Sequence, residues 1–382
     1  MLLLGLSENQ ALLGDLHRII FSLNLNTPPL FFLQIKMVSL LTYIVRRLIL
    51  LTFVLLGVTL LIFAITMLLP IEVRAMLYAR NYQHISPQGL RELAEKYGLT
   101  RPFHEQYFTW LSQVLQGNLG WAKSSSQPVL EAMLSRWPYT FEIVILAAPI
   151  MIFLGIYLGI QSAIHKDGII DHICRILSIV GWSLPSFWLG LLLLSVFYGL
   201  LGWLPPGPIS DELRQIRDSS LFIRYTRIDL IDGLLNGYPQ ITLDVLKHAI
   251  LPVVVIVVIN MALLVRVMRS SMLEALNKPY IVTARAKGLD EKTVIYKHAR
   301  RNALIPTVTL SGMLVAGLLG GLVITETVFA FGGLGQWAAT AALQLDIPAV
   351  LGYAMLSAFL FVIANLIVDI MYAYLDPRIR LE

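Results

Sequence analysis

The sequence predicts an all-α membrane protein with six transmembrane helices, and three observations support that fold class. The chain has 382 residues, of which 57% are hydrophobic and 14% charged, with a mean hydropathy of +0.73. A soluble domain carries about 25% charged residues, so this chain has too few charges to cover a globule of its size. The apolar residues also fall into separate runs of about 20, the length that crosses a hydrocarbon core about 30 Å thick.

Each apolar run is expected to form a helix. A span must satisfy its backbone hydrogen bonds internally, and these runs are too long to be barrel strands. Gly155 and Gly159, four residues apart in one run, predict close packing against a second helix. The predicted spans cover residues 44–69, 139–162, 173–201, 248–268, 304–325 and 349–374.

The distribution of Lys and Arg predicts the orientation of these spans. Residues 266–303 contain nine Lys and Arg, so the loop 269–303 is expected on the cytoplasmic side. Residues 326–348 contain none, so that loop is expected outside. Alternation along the chain then places both termini in the cytoplasm and the loops 70–138 and 202–247 outside.

The first external loop is long enough to fold. A helix is expected over residues 87–98, with Gly98 at its end, and a second amphipathic helix follows with Tyr107 and Trp110 on its apolar side. These helices are predicted to contact a partner or to lie on the membrane. Packing back onto the spans is the alternative. The second external loop is rich in Pro and Gly turn signals.

Residues 1–36 form an extension that fits neither a span nor a signal peptide. Its apolar pieces are too short to cross a bilayer, and its first positive residue is Arg18. The role of this extension is not specified by its sequence. Met37, which directly precedes the start of the first span, is an alternative initiator.

Several chemistries are absent from the sequence. No segment reads G-x-x-x-x-G-K-[ST], so the chain is not expected to be an enzyme that hydrolyses a nucleotide. Its single cysteine, Cys174, excludes a cysteine cluster for metal. The net charge of +5 reflects basic residues that are expected on the cytoplasmic side of the membrane, and it does not indicate nucleic-acid binding. Glu142 and Asp369 lie near the edges of predicted spans, where interfacial anchoring is the simpler interpretation. The sequence therefore shows no acidic residue deep in a span, as a proton-coupled or sodium-coupled carrier would usually have.

The cytoplasmic loop has the signals of a short exposed helix. Pro279 suits the first turn, Tyr280 to Lys287 continue the helix, and Gly288 suits the left-handed residue that ends it. Asp290 is expected to cap a following helix. By composition alone, an ordinary connector whose basic residues only set topology is the other reading.

The sequence of this loop resembles that of a known protein family. Thr283-Ala-Arg-Ala-Lys-Gly288-Leu289, followed by Arg301-Asn-Ala-Leu-Ile-Pro306, resembles the coupling loop of permease subunits in binding-protein-dependent ABC importers, in the dipeptide/oligopeptide/nickel branch. The general pattern is E-A-A-x3-G-x9-I-x-L-P; Ala284 and Gly288 fit, whereas Val282 and Thr283 replace its first two residues. Supporting stretches are Tyr43-Ile-Val-Arg-Arg-Leu48, Gly117-Asn-Leu-Gly120, Leu184-Pro-Ser-Phe-Trp-Leu-Gly190, Glu326-Thr-Val-Phe329 and Tyr374-Leu-Asp-Pro-Arg378.

The resemblance implies a type I ABC importer permease fold over residues 37–382 in the inner membrane of a prokaryote. It implies a second, homologous permease, two ATPase subunits that bind ATP and magnesium, an external solute-binding protein and surrounding lipid, with no cofactor on this chain. The binding protein is expected at Tyr107 and Trp110. The ATPase-coupling helix is expected to comprise Pro279, Tyr280, Thr283, Ala284, Arg285, Ala286, Lys287, Gly288 and Leu289.

The implied function is ATP-driven import of di- or oligopeptides, with nickel or oligosaccharides such as cellobiose as other solutes of this branch. A stand-alone secondary carrier or channel is the alternative that the span count permits. The absence of a deep charge and of inverted, broken helices in the sequence argues against it. A membrane scaffold without a transport role is a third reading.

Overall fold

The computed structural model describes residues 29–76 and 86–375, most of which are helical. The predicted extension at residues 1–36 therefore lies largely outside the described residues, as do residues 77–85 of the first external loop and the tail with Arg378 and Arg380. The helices are α1 (Pro29–Met67), α2 (Ile71–Met76), α3 (Pro87–Lys96), α4 (Phe103–Leu115), α5 (Val129–Ile164), α6 (Ile169–Ser183), α7 (Ser186–Leu194), α8 (Asp211–Arg217), α9 (Asp229–Leu235), α10 (Pro239–Leu276), α11 (Pro279–Ala286), α12 (Glu291–Thr293), α13 (Arg300–Leu319), α14 (Val323–Val328), α15 (Leu334–Leu343) and α16 (Ile347–Leu375).

Five short elements complete the described chain. Strands β1 (Trp121–Ala122) and β2 (Gln127–Pro128) pair antiparallel, with Trp121 opposite Pro128, around a 3₁₀ turn at Lys123–Ser125. Two π-helical turns, Ser195–Leu200 and Val294–Ala299, extend α7 and join α12 to α13.

Five helical segments of the described chain are long and apolar enough to cross a membrane, and a bent helix pair provides a sixth candidate span. This arrangement confirms the predicted fold class. The five segments are Leu48–Met67, Val129–Ile164, Pro239–Leu276, Glu291–Leu319 and Ile347–Val368, and the bent pair joins Ile169–Ser183 to Ser186–Leu200.

The prediction of one continuous third span over residues 173–201 is wrong. The two helices of the pair, α6 and α7, meet at an angle of 97°. Leu184 adopts extended backbone angles, φ −75° and ψ 126°, and Pro185 follows it. The proline ring disfavours a helical conformation in the preceding residue, so the helix ends there.

The predicted fifth span, 304–325, also ends too late. Helix α13 stops at Leu319, and Gly321 has a φ of +128°, which favours glycine. The remaining residues of the predicted span start α14, which is followed by α15 before α16 begins. Two short helices therefore separate the last two long helices.

Helices α5 and α10 pack closely along the centre of the structure. A Cβ added at Gly155 would lie 2.5 Å from Cβ of Leu264, and one added at Gly159 would lie 2.5 Å from Cβ of Met268. The predicted close packing at these two glycines is confirmed, because only residues without a side chain allow this approach. The main buried cluster forms around the same contact and includes Phe329 and Phe331.

The helix predicted at residues 87–98 is confirmed as α3. The Ser86 hydroxyl accepts a hydrogen bond from the Gly89 backbone N–H at 3.2 Å, and Gly98 has a φ of +64°. These are the start and stop signals that the sequence contains. A second helix, α4, follows Pro102 as predicted.

Candidate functional site

The short helix α11 is present where the loop sequence predicts it. Pro279 occupies its first position, and Gly288 follows its end with a φ of +76°. The Asp290 carboxylate then caps α12 by accepting a hydrogen bond from the Thr293 N–H at 3.0 Å. The loop between α10 and α13 is thus two short helices joined by one glycine turn.

The inner face of α11 is anchored in the helix bundle. Ile281 is fully buried and Ala284 is nearly so. They belong to one apolar cluster with residues from the ends of α5 and α10, from the π-helical turn before α13 and from the first turn of α13, namely Ile160, Ala163, Met268, Met272, Ala275, Val294, Ile295, Ala299 and Ala303. Close packing therefore ties α11 directly to several long helices.

The outer face of α11 carries apolar groups that no described residue covers. Val282 is 62% exposed, and Tyr280 and Leu289 are more than one third exposed. They lie outside every predicted span, in the basic loop, so membrane lipid does not explain their exposure. Exposed apolar side chains that neither lipid nor the rest of the chain covers are typical of a protein–protein contact. The other exposed residues of this surface are Pro279, Thr283, Arg285, Ala286, Lys287 and Gly288.

Arg285 binds its own chain. Its Nη2 and Nε donate hydrogen bonds to the two carboxylate oxygens of Glu291, at 2.6 and 3.1 Å. The hydrogen bond from Arg285 to Glu291 raises the pKa of Arg285 further above its usual range. This two-point contact links α11 to α12 across the glycine turn, and the sequence pattern did not reveal it.

The first external loop packs back onto the spans. Tyr107 is 8% exposed, its hydroxyl lies 3.0 Å from the Thr59 hydroxyl, and its ring contacts Phe63 of α1. The Trp110 ring also packs on Phe63, with ring centroids 5.3 Å apart. Tyr107 thus faces α1, whereas Trp110 stays half-buried, and a contact between these two residues and a binding protein remains a prediction.

The second external loop is fastened to α5 by buried polar groups. Glu142 is 1% exposed, and its carboxylate accepts a hydrogen bond from the Leu230 N–H at 2.9 Å. Arg217 donates to Asp229 at 2.8 Å and to the Tyr139 hydroxyl at 3.1 Å. Interfacial anchoring, the expectation for Glu142, is wrong, because α9 covers this carboxylate from outside. The Asp369 side chain lies outside the described residues.

This loop exposes apolar residues of its own. Leu221, Ile223 and Tyr225 lie between α8 and α9 and are each more than half exposed. Hydrogen bonds from Arg217 lower the pKa of the neighbouring Asp218, which also pairs with Arg224. The turn-rich sequence did not indicate this combination of a charged core and an apolar outer surface.

Glu326 forms a second buried anchor, between α14 and the start of α15. It is fully buried, accepts a hydrogen bond from the Thr140 hydroxyl of α5 at 2.6 Å, and accepts another from the Gln336 N–H at 2.8 Å. The sequence placed Glu326 in a loop and in one of the stretches that carry the family resemblance, but it did not predict its burial. Its partner on α5 is 186 residues away in sequence, so no local signal reveals the contact.

No cluster of three or more His, Cys, Asp or Glu in the described ranges is arranged to hold a metal ion. The candidate functional surface is defined by exposed apolar residues of the cytoplasmic loop. It is the outer face of α11 with Leu289, called the coupling surface below.

The chain is similar to known transport proteins over nearly its whole length. Residues 130–381 match the binding-protein-dependent transport system inner membrane component family, and residues 40–144 match the N-terminal region of such membrane components. The di/tripeptide transport system permease protein DppB of Pseudomonas aeruginosa is 38% identical over 89% of this chain and 99% of its own length.

Two other relatives extend this comparison. The probable D,D-dipeptide transport system permease protein DdpB of Escherichia coli is 37% identical over 85% of this chain and 93% of its own length. The oligopeptide transport system permease protein AppB of Bacillus subtilis is 35% identical over 88% of this chain and 99% of its own length. The chain therefore belongs to the family of inner membrane components of binding-protein-dependent transport systems.

Proposed function

We propose that this chain is the transmembrane permease subunit of an ATP-driven peptide importer and forms half of its translocation path. Family membership over both halves of the chain and the peptide permeases among its relatives support this function. The observation that carries the proposal is the coupling surface, since exposed apolar residues on a basic loop outside the predicted spans favour a protein partner.

That partner is an ATPase subunit on the cytoplasmic side. Two such subunits bind ATP and magnesium, and closure of the pair displaces α11. Ile281 and Ala284 transmit this displacement into α5, α10 and α13 as a rigid-body motion. This chain supplies no nucleotide chemistry itself, and it needs no cofactor of its own.

The remaining partners follow from the same arrangement. A homologous second permease completes the path, which makes a heterodimer, and both termini of this chain lie in the cytoplasm. The excess of Lys and Arg in the loop that contains α11 supports this orientation in the inner membrane of a bacterium.

An external binding protein delivers the solute to the second external loop. Leu221, Ile223 and Tyr225 offer an exposed apolar surface there, on a loop that Arg217 and Asp229 hold rigid. Together with the half-buried Trp110 and the neighbouring Tyr107 of the first loop, this surface is the proposed contact with the binding protein.

Dipeptides or short oligopeptides are the proposed solutes. Relatives named for dipeptide, D,D-dipeptide and oligopeptide transport support this class, and none of those cited is named for nickel or for an oligosaccharide. A stand-alone carrier is the competing function, because the number of spans alone permits it.

Reconstitution separates the two functions. The chain is purified with the ATPase subunits and second permease of its transporter. The complex is placed in proteoliposomes and given a labelled dipeptide with its binding protein. We expect uptake only with ATP and magnesium on the ATPase side. Uptake driven by an ion gradient in the absence of ATP would identify a secondary carrier and refute the proposal.

A further inference from the structure

A crevice of about 250 Å³ opens between α6 and α10, near the end of α10 that leads to the coupling surface. Its lining combines buried apolar and hydroxyl side chains with a rim of three guanidinium groups. The residues that line it are Ser162, Cys174, Arg175, Ser178, Ile179, Val265, Arg266, Arg269 and Ser270. The helices approach closely further along, because Gly181 has no side chain between it and the Val258 carbonyl.

The crevice carries more positive than negative charge. Asp171, fully buried beneath it, accepts hydrogen bonds from Nε and Nη2 of Arg269 at 2.7 and 2.8 Å. Arg175 lies 3.7 Å from the same carboxylate and also contacts His172. The charge of Asp171 is thus paired with Arg269. Arg175 contacts the same carboxylate only at a longer distance, so its own charge is not fully compensated.

Arg266 is the third guanidinium of the rim. It is exposed, and it lies over the ring of Trp182, whose centroid is 5.8 Å away. The described part of the chain gives Arg266 no carboxylate partner within salt-bridge distance. An Arg stacked on an exposed Trp is held in place while its remaining donors stay open to a ligand.

The position of the crevice matches the depth of lipid headgroups. Arg266 precedes the end of the predicted fourth span by two residues. Helix α10 continues for ten residues, about 15 Å, beyond Arg266. Below the rim, α6 presents exposed Ile173, Ile176 and Ile179 along one face.

We propose that this crevice binds the phosphate of an anionic phospholipid, with Arg266 and Arg175 on the headgroup and the lipid tails along α6. Basic pockets between membrane helices on the cytoplasmic side have the charge and depth for such headgroups. The site lies beside the attachment of the coupling surface to α10, so a bound lipid stabilises the region where that surface joins the bundle. The site is independent of the solute that the protein carries.

Lipid retention and thermal stability of the full transporter test this site. The complex is placed in phosphatidylcholine nanodiscs with and without phosphatidylglycerol, and bound lipid is counted by native mass spectrometry. We expect phosphatidylglycerol to be retained and to raise the melting temperature. Arg266→Gln should weaken retention about fivefold, and Arg266→Lys should largely preserve it. Lys292→Gln, which removes an exposed charge from α12, is the matched control and should change neither readout.

Three results would overturn the proposal. Unchanged phosphatidylglycerol retention in Arg266→Gln would show that the lipid binds elsewhere. An equal melting shift with inorganic phosphate would show that a soluble anion occupies the crevice. Loss of subunit assembly in Arg266→Gln within pure phosphatidylcholine would show that Arg266 meets an acidic group of the second permease instead.

Discussion

Replacing Val282 by Asp tests the coupling surface directly. Val282 is 62% exposed in the isolated chain. Full burial of a Val side chain yields about 1.5 kcal/mol or more, so covering this exposed part contributes about 1 kcal/mol to docking. The aspartate variant would lose that contribution and would place an unpaired carboxylate in the interface, which costs several kcal/mol. Together these effects predict ATPase association weaker by a factor of about 100 or more.

The same substitution should leave the chain folded. Val282 is the fourth residue of α11 and points away from the buried cluster that holds Ile281 and Ala284. Asp and Val have similar helix propensities, and a carboxylate near a helix N-terminus interacts favourably with the helix dipole. Membrane insertion and protein level should therefore match the wild type.

The first assay measures the affinity of the detergent-purified permease pair for its ATPase subunits. The second measures ATP-dependent dipeptide uptake. Val282→Ile, which keeps the apolar surface, is the matched control and should retain both activities. Wild-type ATPase affinity and uptake in the aspartate variant would refute the docking argument. The loop would then only connect α10 to α13.

Two further predictions concern anchors inside the chain. In Gly333→Ala the new Cβ would lie about 2.5 Å from the Glu326 carboxylate, so we expect a clearly lower melting temperature, whereas Gly317→Ala, with no atom within 4 Å, should be nearly neutral. Equal melting temperatures would contradict the role of Glu326. Arg285→Glu places like charges opposite each other and should reduce uptake, and adding Glu291→Arg should restore it, because the exposed pair links α11 to α12. Persistent loss in the double variant would show that Arg285 contacts the ATPase itself.

Local signals in the sequence were sufficient to predict the long apolar helices and the ends of α11. Hydropathy predicted the spans, and the Pro279 and Gly288 positions predicted the ends of α11, because capping and left-handed turns depend on a few adjacent residues. The break after Leu184 was also encoded locally, in the Leu-Pro pair, but the apolar run continued through it and concealed the bend.

Long-range contacts could not be predicted in the same way. The amphipathic pattern of α4 is the same whether its apolar face meets a partner or Phe63 of α1, so the pattern alone did not decide the position of Tyr107. Glu142 was taken for an interfacial residue because the segment that buries it, around Leu230, is 88 residues away. The link from Arg285 to Glu291 depends on the turn geometry between two helices.

Site-specific cross-linking from position 282 tests the central claim most directly, namely that this chain receives the motion of an ATPase through α11. The native Cys174 is buried, so Val282→Cys introduces an accessible thiol into the assembled, active transporter. Leu345→Cys, at a residue 83% exposed beside α15, provides the control on the opposite side. We predict that a thiol cross-linker joins position 282 to an ATPase subunit and that position 345 gives no such product. An active transporter in which position 282 never links to the ATPase, or in which position 345 does, would contradict the account.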